Sequence, residues 1–166
     1  MNTLKYLEKL FDVITDALAF FAGVILILIM VSVSLDVVMR YFLKAPMIWV
    51  DELAEFGLLY ITFMGTAWLL KQEGHVVVDL IGNAVSLKRR KMLTLFSSGV
   101  GLFVCAIVTY FGVEVTWSLF ARGIYNPTML EIPRGVLVAV IPLGTFLLCI
   151  QFLRRMFASL RDSGRR

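Results

Sequence analysis

The chain has 166 residues, of which 60% are hydrophobic and only 17% charged, and its mean hydropathy is +0.87. That leaves no polar layer large enough to enclose a water-soluble core. The net charge of +4 and isoelectric point near 9.3 do not indicate a nucleic-acid binder, because the basic residues are confined to the ends of apolar stretches.

Those stretches run over about 17–35, 53–70, 92–113 and 136–153. A helix needs about 20 apolar residues to cross a hydrocarbon core of roughly 30 Å. A transmembrane barrel strand would instead alternate in polarity over about ten residues, and unpaired backbone is not tolerated in lipid. The composition therefore predicts an all-α membrane protein with four transmembrane helices in one domain, residues 1–166. No Gly/Ser- or Pro-rich linker divides it, and it has no internal repeat.

Residues 2–14 place Leu4, Leu7, Phe11 and Ile14 on one helical stripe, with Lys5, Glu8, Lys9 and Asp12 off it. This pattern predicts an amphipathic arm lying in the membrane interface; the other reading is a first span that begins early. A cleaved leader is disfavoured, since the apolar run is long, Asp12 and Asp16 precede it and no Ala-x-Ala-like site follows. The first span carries no charge before Asp36. Arg40, Tyr41, the breaker Pro46 and Asp51 then lead into the second span.

Glu52, Glu55, Thr62 and Thr66 fall on one stripe of that second span. A carboxylate in or near a span must face a partner, a cavity or the interface. For Glu55, about one turn inside, an interfacial place near the helix N-terminus, where the dipole favours negative charge, is the competing reading. Residues 76–90 have an apolar side (Val77, Leu80, Ile81, Ala84, Val85, Leu87) and end in Lys88-Arg-Arg-Lys91, which predicts a second interfacial segment. His75 with Glu73 and Asp79 reads as hydrogen-bonded scaffolding at a loop edge, the other reading being a proton or metal cluster. In the third span Ser97, Gly101, Cys105 and Thr109 recur every fourth residue. Small residues at that spacing let helix backbones approach, so the column is a packing face, within the subunit or against another. Pro133 is expected in the first turn of span four, where its missing N–H is harmless; Pro142, inside the span, is expected to kink it unless neighbours compensate.

Of the sixteen Lys and Arg residues, twelve lie at the termini and between spans two and three, and four (Arg40, Lys44, Arg122, Arg134) in the other two connections. The positive-inside rule then places both termini in the cytoplasm. The basic excess reads as topology first and contact with membrane lipids second.

Chemistry is conspicuous by its absence. His75 is the single histidine and lies outside the spans, so a bis-histidine haem or a His-rich metal site is excluded. The cysteines, Cys105 and Cys149, lie within spans three and four and give neither a disulfide framework nor a redox motif. No nucleophile motif or phosphate-binding loop is found, and no cofactor is expected. Spans one, three and four have no charge near their centres, where a self-sufficient transporter keeps its site.

Several motifs in order carry a resemblance. Asp36-Val-Val-Met-Arg40-Tyr41, Pro46, Trp49 and Glu52-Leu53, then Gly74-His75-Val-Val-Val-Asp79, then Leu130-Glu-Ile-Pro133 and Ile141-Pro142-Leu-Gly144 resemble the small membrane subunit of TRAP (tripartite ATP-independent periplasmic) transporters. The resemblance implies a non-catalytic scaffold in the bacterial inner membrane. Its implied partners are a large membrane subunit, which carries the substrate and sodium sites, and a periplasmic binding protein that docks transiently with an organic acid. Arg40, Trp49, Glu52, His75 and Asp79 match the pattern and are assigned structural or interface roles, with Glu52 expected to cap span two or pair with Arg40. Glu55, Ser97, Gly101 and Cys105 are further interface candidates from their placement. Lys44, Arg122, Tyr125, Asn126 and Arg134 are docking candidates from topology alone. Two rival readings are a self-contained four-helix proton-coupled transporter and the membrane anchor of a redox complex.

Overall fold

In the computed structural model the described residues are 2–80, 87–127 and 130–161. Four helices account for nearly all of them: α1 (Asn2–Val38), α2 (Ile48–Leu80), α3 (Leu87–Arg122) and α4 (Arg134–Arg161). Each contains a segment long and apolar enough to cross a membrane. The four apolar stretches anticipated from sequence lie inside these helices.

The helices are longer than the stretches. At 1.5 Å per residue, the 37 residues of α1 extend roughly 55 Å, well beyond a bilayer core. The arm expected at 2–14 is the first part of α1, with no break before the span. The local reason is plain: neither Gly nor Pro occurs before Gly23, and the Thr15 hydroxyl donates to the Phe11 carbonyl instead of competing with the helix. Likewise, residues 76–80 continue α2 and 87–90 open α3; residues 81–86 of the expected interfacial segment lie outside the described residues.

The helices pack as a row. α1 lies on α2, α2 on α4, and α4 on α3. α1 and α3 are the outer members, so the described helices do not close into a bundle around a central cavity. Residues with little side chain make the seams. At α1–α2, Gly57 sits under Ile29 and Ile25. At α2–α4, a Cβ on Gly144 would stand 2.6 Å from the Phe63 carbonyl oxygen. At α3–α4, Gly101 faces the Phe152 ring and Gly112 the Pro142 ring, while Thr109 Oγ1 donates to Thr145 Oγ1 at 2.9 Å. The column of small residues on α3 therefore packs at Gly101 and Thr109 within the chain; Ser97, its first member, is exposed.

Pro142 does not interrupt α4, which runs from Arg134 to Arg161. Its ring is buried against Gly112, and Thr145 Oγ1 donates within the same turn to the Ile141 carbonyl. The missing side chain at Gly112 leaves room for the proline ring at this seam. Pro133 stands one residue before α4 and pairs with Tyr125 across the preceding loop.

A bulky residue at 101 must displace the Phe152 ring, whose atoms lie 2.5–2.9 Å from where its Cβ would be. Gly101→Leu is therefore expected to loosen the α3–α4 pair and lower the unfolding temperature of the purified chain, an overpacking cost of about 1–3 kcal/mol. Combining it with Phe152→Ala should recover part of the loss. No recovery in the double variant would show that the two positions do not meet.

Candidate functional site

The polar side chains gather at the two ends of the row. At the loop end, α1 passes into a π-helical turn, Met39–Leu43, which closes at Lys44 in the left-handed conformation (φ 50°). A tight reversal follows through Pro46 into α2. Asp36 organises it: its side chain is 5% exposed, Oδ2 accepts from the Arg40 guanidinium at 2.6 Å, and Oδ1 accepts from the Met47 backbone N–H at 2.7 Å. Arg40 extends toward Asp51 at 3.9 Å, where the carboxylate is largely exposed and the pair correspondingly weak. One buried carboxylate thus ties the end of α1 to the start of α2 through two charge-assisted bonds.

Glu52 works across the molecule. Its Oε2 accepts from the Leu130 backbone N–H at 3.2 Å, which holds the α3–α4 loop against the start of α2. This corrects the expected pairing of Glu52 with Arg40, whose partners are Asp36 and Asp51. Arg40 is held by Asp36, four residues back along the chain, while Glu52 meets the loop that precedes α4. The loop folds on itself: Asn126 N–H donates to the Ile132 carbonyl, Arg134 N–H to the Ile124 carbonyl, and Arg134 Nε to Asn126 Oδ1 at 3.1 Å. Glu131 has φ 43° and Gly123 φ 59°, the latter a glycine at the helix C-terminus.

Lys44, Arg122, Tyr125 and Arg134 are all exposed at this end, with Asn126 half-buried beneath Arg134. The structure therefore brings the five docking candidates to one end of the molecule, with Trp49, 41% exposed, beside them on the first turn of α2. Glu55 is exposed one turn further in. Thr62 and Thr66 of its stripe turn their hydroxyls back to the carbonyls of Leu58 and Thr62 and form no polar path with it. His75 and Asp79 lie on the last turns of α2, and their side chains fall outside the described residues.

The opposite end carries a second cluster. Lys71 of α2 reaches Asp16 at 2.7 Å and Asp12 at 3.9 Å; Arg154 of α4 reaches Asp12 at 2.7 Å and lies over the Phe11 ring at 5.1 Å. It joins α1, α2 and α4 where α1 has no backbone packing with α4. Sequence reasoning missed this cluster and Asp36. The four-residue spacing of Asp36 and Arg40 was the available signal for the latter; partners separated by 142 positions leave no such trace.

Among the described residues no group of three His, Cys, Asp or Glu side chains gathers to hold a metal. Two shallow grooves, of about 380 and 390 Å³, are lined almost wholly by apolar side chains. Among the described residues the arrangement offers polar ends for contact and an apolar middle without a carboxylate, Lys, Arg or His.

Residues 29–162 match the family described as tripartite ATP-independent periplasmic transporters, DctQ component. The chain belongs to the DctQ family. Among curated proteins, this DctQ-family chain is 24% identical over 69% of its length to the C4-dicarboxylate TRAP transporter small permease protein DctQ of Rhodobacter capsulatus, matching 50% of that protein. It is 26% identical over 67% of its length to the sialic acid TRAP transporter permease protein SiaT of Haemophilus influenzae (strain 86-028NP), matching 17% of that longer chain. The matches thus span half or less of each relative. With four helices apt to cross a bilayer, the chain is a multi-pass membrane protein of the DctQ-component family of TRAP transporters.

Glu52→Ala is expected to free the α3–α4 loop while leaving the helices packed. Trypsin cleavage after Arg122 or Arg134 should quicken severalfold, with little change in unfolding temperature. Unchanged cleavage would show that the loop is held by other contacts.

Proposed function

We propose that this chain is the non-catalytic scaffold subunit of a sodium-coupled TRAP importer of organic acids, fixed beside a large membrane subunit that carries the substrate and ion sites. The observation that carries the reading is the apolar middle of the row: among the described residues it holds no Asp, Glu, His, Lys or Arg side chain at mid-span and no polar cavity. A transporter acting alone needs one or the other. The match to a small part of a longer permease supports a larger membrane partner.

Both termini face the cytoplasm by the distribution of Lys and Arg, and the membrane is the bacterial inner membrane. The loop end then faces the periplasm. Lys44, Arg122, Tyr125, Asn126 and Arg134 form its contribution to the transient docking of a binding protein, and Asp36 and Glu52 keep that surface in shape. Arg40, Trp49, Glu55, His75 and Asp79 serve structure and contact with the partner subunit or lipid.

The test is co-purification of the tagged chain in mild detergent, followed by uptake in vesicles. A large polytopic protein in equal amount, and sodium-dependent uptake that needs both chains, support the proposal. A chain that arrives alone and transports by itself, in a manner lost on Glu55→Gln, overturns it in favour of a self-contained carrier.

A further inference from the structure

Cys105 and Cys149 are free thiols to which the scaffold reading gives no task. In sequence they are far apart; the antiparallel seam of α3 and α4 brings them together. Contacts on either side fix their level. Four residues from each, Thr109 Oγ1 donates to Thr145 Oγ1 at 2.9 Å. One turn the other way, Gly101 of α3 lies against the Phe152 ring of α4. Cys105 and Cys149 occupy the turn between these two contacts, and each thiol lies within electrostatic reach of the other.

A second observation concerns access. One of the two grooves, about 390 Å³, lies where α2, α3 and α4 meet, and its lining includes Thr66, Leu70, Val104, Cys105 and Leu148. It is apolar and open to the side of the row. Cys105 is thus reachable from the acyl-chain region of a bilayer, whereas a water-soluble reagent has no polar route to it.

We propose that Cys105 and Cys149 are a membrane-embedded dithiol, oxidised to a disulfide across the α3–α4 seam by an apolar organic hydroperoxide entering that groove. In the first step the Cys105 sulfur attacks the terminal oxygen of the hydroperoxide. The O–O bond breaks, the alkoxide leaves as an alcohol with the thiol proton, and Cys105 becomes a sulfenic acid. The Cys149 sulfur then attacks the Cys105 sulfur; the S–O bond breaks and the hydroxyl leaves as water with the second thiol proton. Two thiols lose two electrons, and the peroxide bond takes them up. The groove is apolar, so the rate depends on oxidant concentrated in the acyl region. The product staples two helices that already touch.

The test uses the full chain in phospholipid vesicles, treated with cumene hydroperoxide or with hydrogen peroxide at equal concentration. Denatured samples are alkylated with a polyethylene-glycol maleimide and peptides are identified by mass spectrometry. Cumene hydroperoxide should remove both thiols together, lower the mass by two hydrogens and link the Cys105 and Cys149 peptides within one chain, reversibly by dithiothreitol. Hydrogen peroxide should act many-fold more slowly. In Cys149→Ser the reaction should stop at a sulfenic acid on Cys105, trapped by dimedone. Over-oxidation of Cys105 with Cys149 still free, a disulfide between chains, or equal rates with the two peroxides would overturn the proposal. The wild-type measurement stands whether or not the serine variant folds.

Discussion

Gly144→Ala is expected to destabilise the chain more than any other single methyl group added to a helix here. The new carbon would lie 2.6 Å from the Phe63 carbonyl oxygen, 2.8 Å from its Cβ and 3.0 Å from its carbonyl carbon. Two of those atoms are backbone and cannot swing aside, so α2 and α4 must move apart along the seam that joins the two halves of the row. Overpacking of this kind costs about 1–3 kcal/mol. The same substitution at Gly23, where nothing lies within 4 Å, should act in the opposite sense, because Ala in a helix interior is favoured over Gly by roughly 0.5–1 kcal/mol. Unfolding temperatures of the two variants in one detergent decide the matter. If they shift together, the close approach of α2 and α4 is wrong, and with it the order of the helices.

That order was hidden in the sequence for a physical reason. Apolar runs reveal that four helices exist, since each must meet lipid or protein over its whole girth. They do not say which helix lies beside which: every face is apolar, and small residues occur on all of them. Gly57, Gly101, Gly112 and Gly144 each mark a seam, while Gly23, Gly65 and Gly99 have open space where a Cβ would be. Composition cannot tell these two sets apart. Helix ends were similarly obscure. The amphipathic stripe at 2–14 indicates a helix, but its periodicity is the same whether or not the helix turns into the interface, and the chain continues without a break as α1. The loop end was better foreseen. Its charged and aromatic residues stand out against apolar neighbours, and the expectation that Lys44, Arg122, Tyr125, Asn126 and Arg134 share one end follows from helix count alone. Their anchoring was not legible, since Glu52 meets Leu130 across 78 positions.

Asp36 is the side chain whose loss should most disturb that end. It is 3% exposed as a residue and satisfies two donors, the Arg40 guanidinium and the Met47 N–H. Hydrogen bonds to a charged group contribute roughly 1.5–3 kcal/mol each. Asp36→Ala removes both and leaves the Met47 N–H without its acceptor at the reversal between α1 and α2. Asp36→Asn retains one acceptor oxygen, which Met47 can keep, but turns an amide toward the guanidinium, two donors face to face. The expected order of stability is therefore wild type, then Asn, then Ala. Asp51→Asn, at an exposed carboxylate 3.9 Å from Arg40, should change little. Arg40→Ala should cost more than its half-exposed position implies, because it strands the buried carboxylate. A double-mutant cycle over Asp36 and Arg40 separates this coupling from general loosening. Additive losses would mean that Asp36 acts through Met47 alone. A coupled pair would make the corner one unit, whose failure should also weaken whatever docks at Lys44 and the α3–α4 loop, while contacts made along the apolar faces persist.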